Sequence, residues 1–252
     1  MAPTQLKTPW LQRNRTMSQE REAMLGQRGL RPLASLGTWT LAAIAASVVM
    51  SLVSAIADGI TYADFENSRA EEGEWQSPVW IGVVWLLLQL ASAVLFIVWM
   101  WRARLNAEAL CLARHRRSRG WVIGGWFCPV VNAWFPQMIM SDIVRASDPR
   151  TPSDARDLRA RPASPLVGVW WTAWLATWVL TWVSVRLSAP EWESETTEDY
   201  YVTTMGPQGG WSLIVVEVLI SGTLAVAAIS LGAIMIRVQG WQEIRSAERQ
   251  GS

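Results

Sequence analysis

The sequence predicts an all-α integral membrane protein with four transmembrane helices and a central amphipathic or re-entrant segment. Hydrophobic residues make up 51% of the 252 residues and charged residues only 17%, which is below the usual quarter. The charges leave four windows of more than 20 residues that contain at most one charged side chain. Because a helix rises about 1.5 Å per residue, each window is long enough to cross a hydrocarbon core of about 30 Å.

The four windows define the predicted spans in chain order. The first lies between Arg31 and Asp58, and the second opens with Ser77 and Pro78, residues typical of a helix N-cap and first position. The third is uncharged, and the fourth is interrupted only by Glu217. The predicted spans are 33–57, 79–101, 165–187 and 211–236, with a basic tail over 1–32 that we expect to be disordered and a second tail over 237–252.

A fifth apolar window, 120–141, is also long enough to span, but the distribution of charge argues against it. With four spans and the N-terminus inside, the inner segments hold 20 Lys and Arg residues and the outer loops hold one. A fifth span would change that division to 12 and 9, which the positive-inside rule disfavours. Pro129 and Pro136 interrupt the window, so we expect a re-entrant or interfacial element on the inner side. This arrangement predicts a multi-pass protein of the plasma membrane with both termini cytoplasmic.

Glu217 lies about two turns inside span four, where an isolated carboxylate is costly, and intramembrane ionisable residues are candidates for function. Arg186, near the outer end of span three, is the expected partner because antiparallel neighbouring spans bring the two residues to similar depth. The alternatives are a gating or substrate-binding ion pair, a structural clamp between helices, and an arginine that reaches the interface on its own.

Tryptophan is unusually common, with 18 residues against 4 Phe and 3 Tyr. Span three carries four of them at strict four-residue spacing from Trp170 to Trp182, which places them on one face of a helix. This stripe fits either an aromatic pocket for a lipid or apolar cation, or a packing ridge against a neighbouring helix, which we favour. Small residues at helical spacing in spans one and four, including Ser51 and Ser221, predict close helix contacts.

A dense group of arginines follows the inner end of span two. Such a group beside the membrane attracts anionic lipid head groups at about 1 kcal/mol per residue. The alternative is that the group only enforces topology. Nucleic-acid binding is disfavoured because the group is short, is tethered at the bilayer and lacks a recognisable fold signature. The candidate head-group residues are Arg114, Arg116, Arg117 and Arg119.

His115 is the only histidine, and Cys111 and Cys128 are the only cysteines. Together they supply at most three ligands, at no spacing that matches a zinc finger, so we predict two free thiols and no metal site. The sequence contains no nucleophile elbow, phosphate loop or paired zinc-binding histidines. We therefore expect neither an enzymatic activity nor a cofactor.

A motif of glycine, tryptophan, proline and asparagine follows the arginines. Residues 124–136 read Gly-Gly-Trp-Phe-x-Pro-x-x-Asn-x-Trp-x-Pro, with Asn106-Ala107 before them and Asp142-Ile143 and Arg145-Ala146-Ser147 after them. This pattern resembles the uncharacterised bacterial membrane family catalogued as domain of unknown function 4328. The resemblance implies a four-span bacterial membrane protein and carries no assigned reaction, but it directs attention to this segment.

The segment has a coherent physical interpretation. Its tryptophans are expected at the inner interface, its asparagine is expected to satisfy carbonyl groups freed by Pro136, and its aspartate and arginine, three residues apart, are expected to form a local pair. The segment is either a plug or lateral gate, or a structural brace under the bundle, which we favour. The candidate binding residues here are Trp121, Trp126, Asn132, Trp134, Asp142 and Arg145.

The sequence favours a non-enzymatic scaffold or partner-interaction protein, whose partners are the lipid bilayer and either another membrane protein or a second copy of the chain. One alternative is a small transporter or channel component that uses Arg186 and Glu217. Another is a membrane protein that recognises anionic lipids through the arginine-rich loop. A polar cavity reaching Glu217 would favour the transporter, and salt-dependent binding of anionic lipid would favour the lipid-recognising protein.

Overall fold

The computed structural model describes residues 30–68, 79–188, 195–197, 200–202 and 210–250. Within these ranges, four helices are long and apolar enough to cross a membrane, which confirms the predicted multi-pass helical fold. The tail predicted to be disordered lies, up to residue 29, outside the described residues. In chain order the helices are α1 (Ala34–Ser68), α2 (Val79–Leu110), α3 (Trp121–Phe127), α4 (Pro129–Asn132), α5 (Phe135–Ser147), a 3₁₀ turn (Leu158–Ala160), α6 (Pro165–Leu187) and α7 (Gly210–Gln250).

The helices long enough to span are α1, α2, α6 and α7, and two of them continue into polar sequence at the same end of the bundle. Helix α2 continues past residue 101 to Leu110, and α7 continues past residue 236 to Gln250. We call this end, where α1 and α6 begin and α2 and α7 end, the basic end. The two extensions provide a platform of polar side chains against which the connection from α2 to α6 folds.

Hydroxyl groups link the spans across their interfaces. The hydroxyl oxygens of Ser47 and Ser92 lie 2.9 Å apart between α1 and α2, and those of Ser51 and Ser221 lie 2.8 Å apart between α1 and α7. Small side chains let helix backbones approach closely, and the shared hydrogen bonds satisfy hydroxyl groups away from water. The small-residue faces predicted on spans one and four therefore meet each other.

Three short helices connect α2 to α6 at the basic end. Pro129 and Pro136 lie in the first turns of α4 and α5, where proline sacrifices no helical hydrogen bond. Helices α3 and α4 have 7 and 4 residues, so the segment 120–141 contains no helix long enough to cross a bilayer. Helix α5 packs against α2 and buries Ile139 and Ile143 completely. The connection thus folds onto the basic ends of the spans.

The most deeply buried side chains lie at this end. Trp99 and Met100 from α2, Trp170 from α6 and Met235 from α7 are at most 1% exposed, and they join the buried face of α5 in one hydrophobic core. Elsewhere the spans expose apolar side chains, such as Ile229 of α7 at 74%, as helices surrounded by lipid do. Tertiary packing is therefore concentrated where the connection covers the bundle.

A short antiparallel hairpin lies in the connection between α6 and α7. Strand β1 (Glu195–Thr197) pairs with strand β2 (Tyr200–Val202), with Glu195 opposite Val202. The sequence analysis did not predict these strands, because three residues are too few to show an alternating pattern. The described fold is therefore all-α apart from this hairpin.

Candidate functional site

The candidate site is built around the loop 111–120, which joins α2 to α3 at the basic end. The loop is tied down at its start, where the backbone N–H of Leu112 donates to the carbonyl oxygen of Ser153 at 2.8 Å. Four arginines of the loop and one from the last turns of α2 supply five guanidinium groups in this short part of the chain. We call this set the arginine cluster, and its members are Arg104, Arg114, Arg116, Arg117 and Arg119.

Arg116 anchors the loop to α5 through Asp142. Its side-chain Nε lies 2.8 Å from Oδ1 of Asp142, its backbone N–H donates to Oδ2 at 2.9 Å, and its Nη2 donates to the carbonyl oxygen of Met138 at 2.9 Å. Asp142 is only 1% exposed. A buried carboxylate is stable only when it is paired and hydrogen-bonded, and these contacts meet that requirement.

A second carboxylate, Glu108 of α2, lies between two members of the cluster. Arg104 donates from Nε to Oε1 of Glu108 at 2.7 Å, and Arg119 donates from Nε to Oε2 at 2.6 Å. Arg104 also donates from Nη2 to the backbone oxygen of Arg117 at 2.8 Å, which fixes the loop against α2. One acidic residue thus serves two arginines, and the cluster keeps an excess of positive charge.

The remaining two arginines have no carboxylate partner within 4.0 Å in the described part of the chain. Arg114 is exposed, and the guanidinium carbon of Arg117 lies 4.0 Å from the ring centroid of Phe135. The five guanidinium groups therefore face two carboxylates, Glu108 and Asp142, with a surplus of three positive charges.

Several side-chain nitrogen atoms of the arginine cluster and of the neighbouring His115 are buried and have no hydrogen-bond partner in the described structure. They are Nη1 of Arg104, Nε of Arg117 and the two ring nitrogens of His115, one of which carries a proton in the neutral ring. Burial, with repulsion from the nearby Arg104, lowers the pKa of His115 to about 4. The histidine is therefore neutral at physiological pH, in a pocket that already carries positive charge.

Aromatic packing holds the α3–α4 segment against two spans. The ring of Trp126 makes edge-to-face contacts with Phe96 of α2 at 5.7 Å and with Trp174 of α6 at 5.6 Å between centroids. The indole N–H of Trp171 donates to the carbonyl oxygen of Ala133 at 2.9 Å. The tryptophan stripe of span three is thus a packing ridge over its basic half, whereas Trp178 is 61% exposed.

Other side chains of α3 and α4, which directly follow the arginine-rich loop in the chain, are apolar and exposed. Phe127 is 75% exposed and Val130 is 70% exposed. Apolar side chains next to a basic cluster are typical of segments that lie at a membrane interface. We call this set the apolar face, and its members are Trp121, Ile123, Phe127, Val130 and Trp134.

A buried polar network lies beneath the cluster, and the sequence analysis missed it. The amide of Asn106 donates from Nδ2 to Oε1 of Gln242 at 2.9 Å, and Gln242 donates from Nε2 to Oγ of Ser147 at 2.8 Å. The side chain of Asn106 also accepts from the backbone N–H of Arg31 at 2.8 Å. The signal in the sequence was a pair of polar residues, Gln242 and Arg245, three apart on the extension of an apolar helix.

Arg245 completes this network by binding the ends of two other helices. It donates from Nη1 to the carbonyl oxygen of Ala146 at 2.6 Å and from Nη2 to that of Leu110 at 2.9 Å, and it is 7% exposed. A weaker bond of 3.3 Å reaches the carbonyl of Asp148. A cation at the carboxyl ends of α2 and α5 also interacts favourably with both helix dipoles.

Two expected local contacts take a different form. Asp142 pairs with Arg116 instead of Arg145, because its buried side chain faces the loop, where a backbone N–H and a guanidinium are both in reach. Arg145 donates instead to the carbonyl oxygen of Pro162 at 3.5 Å. Asn132 donates to the carbonyl of Trp126 at 3.3 Å, at the end of α3, and not to carbonyls freed by the later proline.

The expected pair of Arg186 and Glu217 is not formed. Arg186 is exposed, with its guanidinium carbon 5.0 Å from the ring centroid of Trp182. Glu217 of α7 instead lies near Asp58 of α1, which accepts a hydrogen bond of 3.4 Å from Ser54. The faces of α1 and α7 that meet through their small residues bring these two carboxyl groups near each other.

The cysteines and the histidine do not assemble into a metal site in the described part of the chain. Cys111 is buried and free, and Cys128 is partly exposed and free. No group of three His, Cys, Asp or Glu residues able to hold a metal ion occurs among the described residues.

Comparison with protein families gives the following match. A family model described as a domain of unknown function (DUF4328) matches residues 63–239, which is more than half of the chain and includes the whole arginine cluster. Searches of curated proteins and of solved structures found no match.

Proposed function

The chain belongs to the DUF4328 family, and from that premise we propose that it is a multi-pass membrane protein that recognises anionic lipid head groups at its basic end. The family description assigns no activity, so the proposal is argued from the site. In this proposal the protein is not an enzyme. It binds the bilayer of its own membrane and presents a positively charged, partly apolar surface to one leaflet.

The observation that carries the proposal is the position of the surplus charge. The surplus of three guanidinium groups belongs to the loop that leads directly into α3 and α4 and to the helix end before it, and in α3 and α4 Phe127 and Val130 are more than two-thirds exposed. Acyl chains would cover the apolar face while phosphate groups neutralise the arginines. Ordinary solvated loops do not expose this many large apolar side chains beside a basic cluster.

The depth of the α3–α4 segment supports insertion into the leaflet. Trp126 contacts Phe96, which lies six residues further into α2 than Arg102. At 1.5 Å per residue, this is about 9 Å beyond the first arginine of the basic end. We infer that the segment is re-entrant and reaches below the head groups, where the prolines keep its short helices packed against protein.

Orientation follows from the charge division of the sequence. Twenty of the 22 Lys and Arg residues fall in residues 1–31, 102–161 and 237–252, outside the four apolar windows and the two connecting loops 58–74 and 187–210. The positive-inside rule then places the basic end, and both termini, in the cytoplasm of a cell whose plasma membrane holds the protein. The recognised lipids are therefore those of the cytoplasmic leaflet, which carries the anionic head groups.

The other functions considered from the sequence have less support. A scaffold that binds a membrane protein or a second copy of the chain stays a prediction, since no described contact identifies a partner. The transporter interpretation rested on an ion pair of Arg186 and Glu217, and the ion pairs of the described residues do not include it.

Lipid selection in nanodiscs tests the proposal. The full chain is reconstituted from an equimolar mixture of phosphatidylcholine and phosphatidylglycerol, and the lipids retained on the protein after mild delipidation are counted by native mass spectrometry. A double variant, Arg114→Gln with Arg117→Gln, is compared with a charge-matched control, Arg150→Gln with Arg159→Gln, which lies outside the cluster. At about 1 kcal/mol per arginine, the first variant should lose about 30-fold in preference for the anionic lipid, and the control should lose less than threefold.

Salt gives a second readout. Raising sodium chloride from 0.1 to 1 M shortens the Debye length from about 10 to about 3 Å and should reduce the preference of the natural chain. Equal losses in the two double variants, or a preference that salt does not change, would contradict the proposal.

A further inference from the structure

The arginine cluster contains donors that surface attraction alone does not explain. Arg104 is 2% exposed, and its Nη1 is buried without a hydrogen-bond partner. The same holds for Nε of Arg117 and the donor nitrogen of the His115 ring. Buried donors in proteins are nearly always bonded, and leaving one unsatisfied destabilises the fold, so three in one local unit call for an explanation.

The three side chains belong to one local unit. Arg104 donates from Nη2 to the backbone oxygen of Arg117, so the guanidinium of α2 lies against the loop that carries His115 two residues earlier. Arg104 is also the charged group with the largest effect on His115. The nearby carboxylates are already bonded, because Glu108 serves Arg104 and Arg119 while Asp142 serves Arg116.

Arg117 is held by an interaction that a stronger acceptor can replace. Its guanidinium lies over the ring of Phe135 in a cation–π contact. Charge-assisted hydrogen bonds to an oxyanion are stronger than such a contact. A rotation of this one side chain away from the ring would free its guanidinium for an anion.

We propose that Arg104, His115 and Arg117 form a discrete binding site for a phosphate monoester, supplied either by a lipid head group or by a free phosphate. The two arginines offer only donors and the neutral ring of His115 adds one N–H, which suits a ligand that accepts several hydrogen bonds. Three donors exceed the two oxygens of a carboxylate and match the three terminal oxygens of a phosphate monoester. The inference rests on the proposed function only for the lipid source, since a free phosphate would use the same donors.

The single histidine makes the site directly observable by nuclear magnetic resonance. The full chain, without a histidine tag, is labelled with ¹⁵N at histidine and placed in phosphatidylcholine nanodiscs. One arm adds inorganic phosphate up to 10 mM against chloride of equal ionic strength, and the other includes 20 mol% phosphatidic acid. We expect saturable shifts of the two ring nitrogens and at least a tenfold increase in the proton affinity of His115 in one or both arms.

Variants separate this site from general surface charge. Arg117→Gln should weaken phosphate binding at least tenfold, and Arg117→Lys, which keeps the charge but loses the Nε donor, should fall between. Arg150→Gln removes an arginine that is 82% exposed and lies outside the cluster, and it should change the affinity less than twofold. Retained tryptophan fluorescence and a single gel-filtration peak would show that each variant is folded.

The outcomes are distinct. Shifts in both arms support the site with free phosphate as a sufficient ligand, and shifts only with phosphatidic acid support it with a lipid as the source. A flat His115 signal in both arms, or an Arg117→Gln variant that binds like the natural chain, would overturn the site. If the protein still prefers phosphatidylglycerol in nanodiscs but the His115 ring nitrogens show no shift in either arm, the phosphate site is ruled out and the proposed lipid recognition is retained.

Discussion

Arg245 should be the residue whose loss most loosens the basic end, and Arg245→Met tests this. The substitution keeps an unbranched side chain but removes bonds of 2.6 and 2.9 Å to the last carbonyls of α5 and α2. The arginine is 7% exposed, so water cannot reach these carbonyl groups to replace the lost bonds while the helices stay packed. We call the contact of α7 with the ends of α2 and α5 the junction. At about 1.5 to 2 kcal/mol for each bond to a charged donor, the free energy that holds the junction together should fall by about 3 to 4 kcal/mol.

The thiol of Cys111 reports this loss directly. It is 2% exposed and lies 3.7 Å from the carbonyl oxygen of Pro152, beside the junction that Arg245 closes. In a Cys128→Ser background, the rate of maleimide labelling of Cys111 in detergent measures how often the junction opens. A loss of about 3 kcal/mol corresponds to labelling more than 100-fold faster than in the parent.

The matched control is Arg237→Met, which removes an exposed arginine two turns earlier on the same helix. It should leave the labelling rate within about twofold of the parent, and Arg245→Lys, which can keep one of the bonds, should fall between. If Arg245→Met labels no faster than Arg237→Met, the arginine does not close the junction and the reasoning is refuted.

Three further predictions concern the loop and the short helices. Asp142→Asn leaves Arg116 without its buried carboxylate and should destabilise the fold by about 3 kcal/mol, seen as a lower thermal midpoint in detergent. Because His115 has a pKa of about 4 when folded and an ordinary value of 6.5, its contribution to stability is complete above pH 6.5 and falls by about 3 kcal/mol as the pH drops to 4. Equilibrium unfolding between pH 4 and 7 measures that slope, which His115→Gln should flatten. Trp171→Phe removes the hydrogen bond to Ala133 and should cost about 1 kcal/mol by the same thermal assay.

Each of these has a control. Arg150→Gln removes an arginine that is 82% exposed in its pair with Asp148 and should leave the midpoint unchanged. Trp182→Phe alters a tryptophan that is 60% exposed and should do the same. If the free energy of unfolding of His115→Gln still depends on pH in the same way, other groups cause the pH dependence. If Trp171→Phe and Trp182→Phe have the same thermal midpoint, the hydrogen bond of the Trp171 N–H does not stabilise the fold.

Hydropathy and charge identified the four spans and the non-spanning connection without tertiary information. Each is a local property, because the free energy of placing a residue in lipid depends mainly on that residue and its neighbours in the chain. The interruption of the apolar segment 120–141 at Pro129 and Pro136 could also be predicted from the sequence, since proline limits helix continuation wherever it occurs. The arginines 114–119 stand out in the sequence as a group, but their individual partners do not.

The partners that the sequence predicts for two carboxylates, Glu217 and Asp142, are wrong. Glu217 and Arg186 have compatible depths, yet Glu217 meets Asp58 because α1 and α7 pack through their small residues. Asp142 and Arg145 have a compatible spacing, yet Arg116 offers the buried carboxylate a backbone N–H as well as a guanidinium. Depth and spacing permit several partners, and the rotation of each helix about its axis selects one.

The sequence by itself determined the number of spans, their boundaries to within a few turns, and the location of the excess positive charge. Only the tertiary structure decided which arginines are neutralised, which donors are buried, and how Asn106, Gln242 and Arg245 join three helix ends. The reason is physical: partition into lipid is summed residue by residue along the chain. Hydrogen bonds and ion pairs, in contrast, depend on distances of about 3 Å between segments whose relative placement is set by packing.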